Sequence, residues 1–246
     1  MFFIPLFLSN LSTKKIGRKI EYVRTTDSTN KEIYSRLQNN EAQSGNVLLS
    51  DEQTDGKGRR GSSWFSSAGK SLTLSFLLEN NHDILIKKLP LISGLAIIKA
   101  IKQIARIDCQ LKWPNDVVYN SKKLAGILIE QKDQHFIIGI GINVNEIEFP
   151  ESIQNTTCSL SSILNYSIQR EPLLAFILNH FENLLNDDMD NIIKQWESSC
   201  NHMDSIVKFH SSNEIINAHF IGLNNNGSAK IKVDKKEMTA NSGIIE

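Results

Sequence analysis

Three cysteines in 246 residues, Cys109, Cys158 and Cys200, are too few and too scattered for a disulfide framework. No C-x-x-C pair accompanies them, so a cysteine-rich zinc site is excluded as well, and the usage fits a reducing cytoplasm. Net charge is also absent, because 27 basic side chains offset 27 acidic ones. A dedicated nucleic-acid binder carries a basic excess or stripe, and this chain does not. Nor is there an apolar run of the roughly 20 residues that a membrane span needs. The opening MFFIPLFL is apolar over only about seven residues, contains Pro5 and has no basic residue ahead of it. It therefore lacks the basic start and long apolar core of a secretory signal. We read it as an extension packing on the body of the protein, with a cleaved signal as the alternative. Internal repeats and low-complexity linkers are missing too. What remains is 40% hydrophobic and 22% charged, the composition of a packed globular chain. The length suits one large domain, or a main domain with a small appendage.

Hydrophobic period assigns most elements. EYVRTTDSTNKEIYSRL reads as a strand followed by a helix, in which Thr29 and Glu32 have the spacing of a capping box. NVLLS is a short strand, and SLTLSFLL alternates with Leu72, Leu74, Phe76 and Leu78 on one face. Leu91, Leu95, Ile98, Ile101 and Ala105 mark a helix with one buried face. A β-rich block follows, with CQLKW stopping at Pro114, then VVY, LAGILIE and FIIGIGINVN. From about residue 171 to 200 the pattern is helical, with Leu173, Phe176, Ile177, His180 and Leu184 on a shared face. The last segment switches to short strands broken by polar turns such as NNNG, as in a small β-barrel or meander. A boundary near residues 201–205 divides the chain into a main domain, 1–202, with residues 1–20 as the extension, and a small β domain, 203–246.

Between the second and third strands lies DEQTDGKGRRGSSWFSSAGKS, which contains G-x-G-x-x-G and ends in Gly-Lys-Ser. A P-loop ending at Gly69-Lys70 requires glycine at position 64, which is Trp64. A dinucleotide fingerprint must open a helix, yet no helical period follows and a strand begins again by Leu72. Both readings fail. What remains is a strand-to-strand loop carrying three glycines and three cations within six residues, Gly56 to Gly61. Glycines let backbone N–H groups approach a ligand, and clustered cations favour carboxylates and phosphates. A mobile, solvated surface loop is the plain alternative; Trp64, a large aromatic beside it, favours a walled pocket.

LKWPND sets a lysine, an aromatic, an amide and a carboxylate around a proline turn, and SKKLAGILIE opens an apolar strand with two lysines. Alternation puts Lys123, Ala125 and Ile127 on one face, where a lysine is costly unless it meets an anion or reaches water. Lys122 reads as a turn cation. GIGINVN, taken alone, is a strand end.

In order, DSTN, DEQTDGKGRRGSSW, KWPND, KKLAGILIE and GIGINVN resemble the biotin protein ligases, from about residue 25 to 145. The resemblance implies an α+β fold: a mixed β-sheet with flanking helices, related to class II aminoacyl-tRNA synthetases, followed by a small SH3-like β-barrel. It implies a ligase that activates biotin with Mg2+ and ATP as biotinyl-5′-AMP, then transfers it to a lysine of a biotin carboxyl carrier protein in a carboxylase. By the same resemblance Lys123 and Asp116 are catalytic. Ser28, Thr29, Asn30, Gln53, Lys57, Gly58, Arg59, Lys123 and Gly126 bind biotin. Arg59, Arg60, Trp64, Lys112, Asn115 and Asn143 bind the nucleotide. For Thr29 the capping box is a sufficient structural explanation by itself. The cysteines and histidines are given no chemical role. A cytoplasmic enzyme, able to form a homodimer but binding neither nucleic acid nor membrane, is the expected setting. Two departures stand out: Lys57 replaces the family's usual first loop arginine, losing the planar fork of a guanidinium, and Ser62 stands where a further cation is common. Only about 20 residues precede the first catalytic strand, too few for a helix-turn-helix module, so operator binding is not expected. The competing readings are a lipoate or octanoate ligase or transferase of the same fold, and a non-catalytic small-molecule sensor or adaptor. Weakest is a nucleic-acid binder acting through the C-terminal barrel.

Overall fold

The computed structural model describes residues 1–80, 85–210, 215–234 and 236–245, so parts of the segment expected to be the C-terminal β domain lie outside the described residues. In chain order the elements are α1 (Ile4–Asn10), β1 (Ile20–Thr26), α2 (Thr29–Gln38), β2 (Val47–Gln53), β3 (Leu72–Glu79) and α3 (Leu85–Ala105). Then come β4 (Gln110–Lys112), β5 (Asp116–Tyr119), β6 (Lys122–Lys132), β7 (His135–Ile142), α4 (Leu160–Leu164), α5 (Arg170–Leu185) and α6 (Met189–Ser198). The chain closes with β8 (Ile206–His210), β9 (Ile215–Leu223), β10 (Ala229–Val233), β11 (Lys236–Ala240) and β12 (Ile244–Ile245). Seven strands form a mixed sheet in the order β1-β2-β3-β7-β6-β5-β4, with β1 and β2 parallel and every other pair antiparallel. The last five strands form a separate antiparallel sheet, β11-β10-β9-β8-β12.

The two faces of the large sheet are covered unequally. Leu72, Leu74, Phe76 and Leu78 of β3 enter the main core, where Phe76 meets Phe181 of α5 edge-on at 4.9 Å, and α3 packs along α5. On the opposite face α2 covers only part of the sheet, its Ile33 resting on Leu48, Leu77 and Ile137. The remainder of that face is open to a cavity. α1 belongs to the covered side: Phe7 is fully buried, and the Phe3 N–H donates to Glu171 Oε1 at 2.8 Å. The opening segment thus packs on the body, as a short helix with Pro5 in its first turn.

One local expectation is refined and two are corrected. The helical stretch after residue 170 is two helices, because the side chain of Asp188 accepts from the Asn191 N–H and starts α6 afresh. Thr29 is not a cap: Ser28 occupies the N-cap position without a side-chain cap bond, and Thr29 is the first helical residue. Alternation also fails at the start of β6. The β5–β6 register shifts between Val117 and Val118, so Val117 faces Ala125 while Val118 faces Lys123, leaving Leu124 as a bulged extra residue. The extra residue breaks the period of two. Lys123 consequently shares a side with Gly126, whose would-be Cβ lies 3.4 Å from Lys123 Nζ, and not with Ala125 and Ile127.

Candidate active site

A cavity of about 190 Å³ opens on the half-covered face of the sheet, against the first turn of α2 and beneath the glycine loop. Its floor is bare backbone. Gly126 of β6 pairs with Gly141 of β7, and Gly139 of β7 pairs with both Ser75 of β3 and Leu128 of β6. A Cβ on Gly141 would sit 2.6 Å from Cζ2 and 2.7 Å from Nε1 of Trp64; one on Gly139 would sit 3.1 Å from Cγ of Asn30. Glycine at both positions lets an indole and an amide lie directly on the sheet. The alternating glycines in GIGINVN are the signal for this floor, which reading the motif as a strand end overlooks.

The loop above is a tight hairpin. Trp64 N–H donates to Gly56 O at 2.8 Å, Lys57 and Ser63 form a bridge, and Gly58 N–H donates to Ser62 O at 2.7 Å. Its tip, Arg59–Gly61, is one 3-10 turn in which Arg60 (φ 54°) and Gly61 (φ 78°) both take left-handed backbone. The tip is held from two sides. Arg59 Nη1 donates to Asn115 Oδ1 at 3.1 Å and approaches Gly243 O, ahead of β12, at 3.5 Å. Burial, then the neighbouring Arg60, pulls the Arg59 guanidinium pKa down, while Asp116 acts the other way. Lys57 points elsewhere, to Asp55 at 2.6 Å, and that aspartate also holds Lys31.

At one end of the cavity Lys123 Nζ lies 2.8 Å from Asp116 Oδ1 and 5.8 Å from the Trp64 ring centroid. This pair provides the anion that a lysine in an apolar strand requires. Lys112, Arg59 and Arg60 also line the cavity, so cations predominate there. The main chain of the K-W-P-N-D turn is fixed by Asn115, which exchanges two bonds with Ile127: its Nδ2 donates to Ile127 O at 2.9 Å and its O accepts from Ile127 N–H at 3.0 Å.

At the other end the polar groups hold one another. Gln53 Oε1 accepts from the Thr29 N–H at 2.8 Å and from Thr29 Oγ1 at 3.0 Å, which turns the Gln53 NH2 group away from that contact. Asn30 Nδ2 donates to Glu130 Oε2 at 2.7 Å, and Ser75 Oγ donates to Asn30 Oδ1 at 2.5 Å. Neither Ser75 nor Glu130 was singled out from sequence. Behind the loop a third group was missed: Arg170 Nη1 reaches Asp51 Oδ1 at 2.9 Å and donates to Ser71 O at 2.8 Å. It thereby ties the end of β2 to the start of β3, the two roots of the hairpin.

The structure brings together every expected site residue except Asn143. Ser28, Thr29, Asn30, Gln53, Lys57, Gly58, Arg59, Arg60, Trp64, Lys112, Asn115, Asp116, Lys123 and Gly126 all line the cavity. Asn143 is 2% exposed, and its Nδ2 donates to Cys158 O at 3.1 Å, so it braces the chain beside β6 and does not line the cavity. Burial pushes the thiols of Cys109 and Cys200 up to about 12 and that of Cys158 up to about 11, leaving no thiolate for chemistry.

Residues 22–143 match the biotin/lipoate A/B protein ligase family. The chain is 32% identical to the bifunctional ligase/repressor BirA of Bacillus subtilis over 96% of its own length and 76% of that protein's. It is 30% identical to the biotin–acetyl-CoA-carboxylase ligase of Mycobacterium tuberculosis over 72% of this chain and 70% of that one. Among solved structures it superposes on the biotin protein ligase of Aquifex aeolicus in complex with biotin and ATP. The TM-score is 0.84 and the identity 31%, covering 94% of this chain and 98% of that one. The chain belongs to the biotin/lipoate A/B protein ligase family.

Proposed function

We propose that this enzyme activates biotin with ATP as biotinyl-5′-AMP and transfers it to one lysine of a biotin carboxyl carrier protein. The observation that carries the reading is the Lys123–Asp116 pair at one end of a glycine-floored cavity whose other end holds hydroxyls and amides. A ligand with a carboxylate at one end and a urea at the other fits that polarity. Its valeryl chain would lie between the bare backbone of Gly126 and Gly141 and the Trp64 indole.

In the first step a biotin carboxylate oxygen attacks the α-phosphorus of ATP, the bond to the β-phosphate oxygen breaks, and pyrophosphate leaves. Two anions must meet, so preorganised cations lower the barrier. Lys123 is suited to bridge the carboxylate and the α-phosphate, and Arg59 to cover them from the hairpin tip. In the second step the amine of the carrier lysine attacks the acyl carbon, the bond to AMP breaks, and the amine loses a proton. Asp116 is the carboxylate nearest Lys123 and is suited to orient its ammonium. Among the described residues no group of three His, Cys, Asp or Glu could hold a metal ion. Such a site suits Mg2+ carried by the substrate phosphates, as Mg2+ commonly is, with Asp116 as the protein carboxylate at hand. The ion would neutralise phosphate charge.

For the carrier, β1 is an edge strand of the large sheet among the described residues and runs directly into Ser28, so pairing along it would bring a lysine to the cavity. Among the described residues no helix is long and apolar enough to cross a membrane. The three free thiols fit a cytoplasmic enzyme. A lipoyl or octanoyl substrate would leave the Gln53 and Ser28 polar groups without partners, at about 1–3 kcal/mol each. Pyrophosphate release stimulated by biotin and not by lipoate or octanoate supports this reading, and the reverse preference refutes it.

A further inference from the structure

The polar end of the cavity contains more order than ligand contact requires. Ser75, Gly139 and Leu128 lie side by side on adjacent strands β3, β7 and β6. The Asn30 amide rests on Gly139, where a Cβ would meet its Nδ2 at 3.2 Å and its Oδ1 closer still. In that position it spans the sheet from Ser75 on β3 to Glu130 on β6. Ser75 is fully buried, and Thr29 and Asn30 are 4% and 5% exposed.

Counting protons gives the chain a direction. A carboxylate can only accept, so Glu130 draws the Asn30 NH2 toward itself and leaves Oδ1 facing Ser75. Ser75 has one proton, which this oxygen takes. Ser75 Oγ, 2.7 Å from Thr29 Oγ1, can then only accept from it. The Thr29 proton therefore points inward, to Ser75 or to Gln53 Oε1, and only its lone pairs remain for the cavity it lines. Gln53 Oε1 is held by the Thr29 N–H, so its NH2 group is what remains to donate.

We propose that Glu130 and Ser75 are specificity-determining positioning residues that set this end of the site to accept at Thr29 and donate at Gln53, the complement of the N–H and C=O of a cyclic urea. The inference rests on the proposed biotin reading. Glu130→Gln removes the direction. The new amide could donate to Asn30 Oδ1, the flipped Asn30 could donate to Ser75, and Ser75 to Thr29, so that the Thr29 proton is no longer tied to Ser75 and can turn from Gln53 Oε1 to the ligand.

The test compares biotin with its two cyclic-carbamate analogues, each with one ureido N–H replaced by oxygen, as substrates for pyrophosphate release by the wild type, Glu130→Gln and Ser75→Ala. In the wild type, the analogue lacking the N–H that faces Thr29 is rejected by about 100-fold or more in kcat/KM, since two acceptors then oppose each other. In each variant that ratio falls by about tenfold or more. A loss of structure alone slows biotin and its near-isosteric analogues alike and leaves the ratio fixed, so an unchanged ratio in the variants overturns the inference. Ser75→Ala provides an independent reading if Glu130→Gln folds poorly, and ligand-free melting temperatures identify that case. A wild type without biotin-dependent pyrophosphate release overturns the biotin reading itself, and the inference with it.

Discussion

Replacing Gly141 by alanine should weaken biotin binding without unfolding the protein. The new Cβ would lie 2.6 Å from Cζ2 and 2.7 Å from Nε1 of Trp64, whereas unstrained carbon contacts fall at about 3.5–4.0 Å. The indole must therefore withdraw by about 1 Å. β7 lies between β3 and β6 and cannot yield, so the displacement falls on Trp64 and the hairpin it anchors. Overpacking of this kind costs about 1–3 kcal/mol. If that cost is borne where Trp64 closes on the ligand, affinity falls by about 5- to 150-fold. Titration calorimetry with biotin measures it directly. Alanine at position 64 removes the obstructing ring, so in a Trp64→Ala background the Gly141→Ala change should have almost no further effect, a non-additivity that a double-mutant cycle detects. Biotin affinity within twofold of wild type in the single Gly141→Ala variant would refute the placement of Trp64 over the ligand floor.

Removing the tip anchor by Arg59→Gly loses the bond to Asn115 and the approach to Gly243. The adenylate should then escape, seen as increased carrier-independent biotinylation of bystander proteins, and no increase would count against a closing loop. Arg170→Met leaves the part-buried Asp51 without its cation but still bonded by the Tyr22 hydroxyl, which should lower stability by about 1–3 kcal/mol. Urea unfolding checks this, and a change below about 1 kcal/mol would show that the brace is not structural. His202 is held down to about 4, first by burial and then by Lys112. Between pH 6.5 and 4 the unfolded chain therefore binds the proton that the folded one refuses, and stability declines as pH falls through that window. From pH 7 to 5 the loss should be about 2 kcal/mol, and His202→Gln should flatten that part of the curve.

The strands and helices with a regular apolar period were legible in the sequence, and so was most of the polar lining of the cavity. Those residues sit in short contiguous motifs: Ser28, Thr29 and Asn30 together, and Lys57, Gly58 and Arg59 together. What escaped was long-range. Arg170 meets Asp51 and Ser71 only because α5 crosses behind β2 and β3, and nothing near any of the three announces the others. Glu130 closes a polar strand end and looks like ordinary surface until Asn30 is laid across Gly139. The Leu124 bulge was invisible because it exists only in the pairing of β5 with β6, and it alone turned Lys123 to the correct side for a reason other than alternation. Thr29 shows the opposite error: a local capping rule fitted the spacing, yet the hydroxyl is engaged by Ser75 and Gln53. For Asn143, the motif identified the residue, but its environment makes it a brace.

If Lys123, held by Asp116 beside the glycine floor, stabilises the meeting of a carboxylate with a phosphate, its removal must slow adenylate formation. The most direct measurement is mass analysis of the enzyme incubated with biotin, ATP and Mg2+, in wild type and in Lys123→Ala. The wild type should form biotinyl-5′-AMP and pyrophosphate, and the variant should form the adenylate about 10²–10³-fold more slowly, the scale of losing one preorganised electrostatic contact. A wild type that forms no biotin-dependent adenylate would refute the biotin reading, and a Lys123→Ala enzyme that forms it at near wild-type rate would refute the role of Lys123.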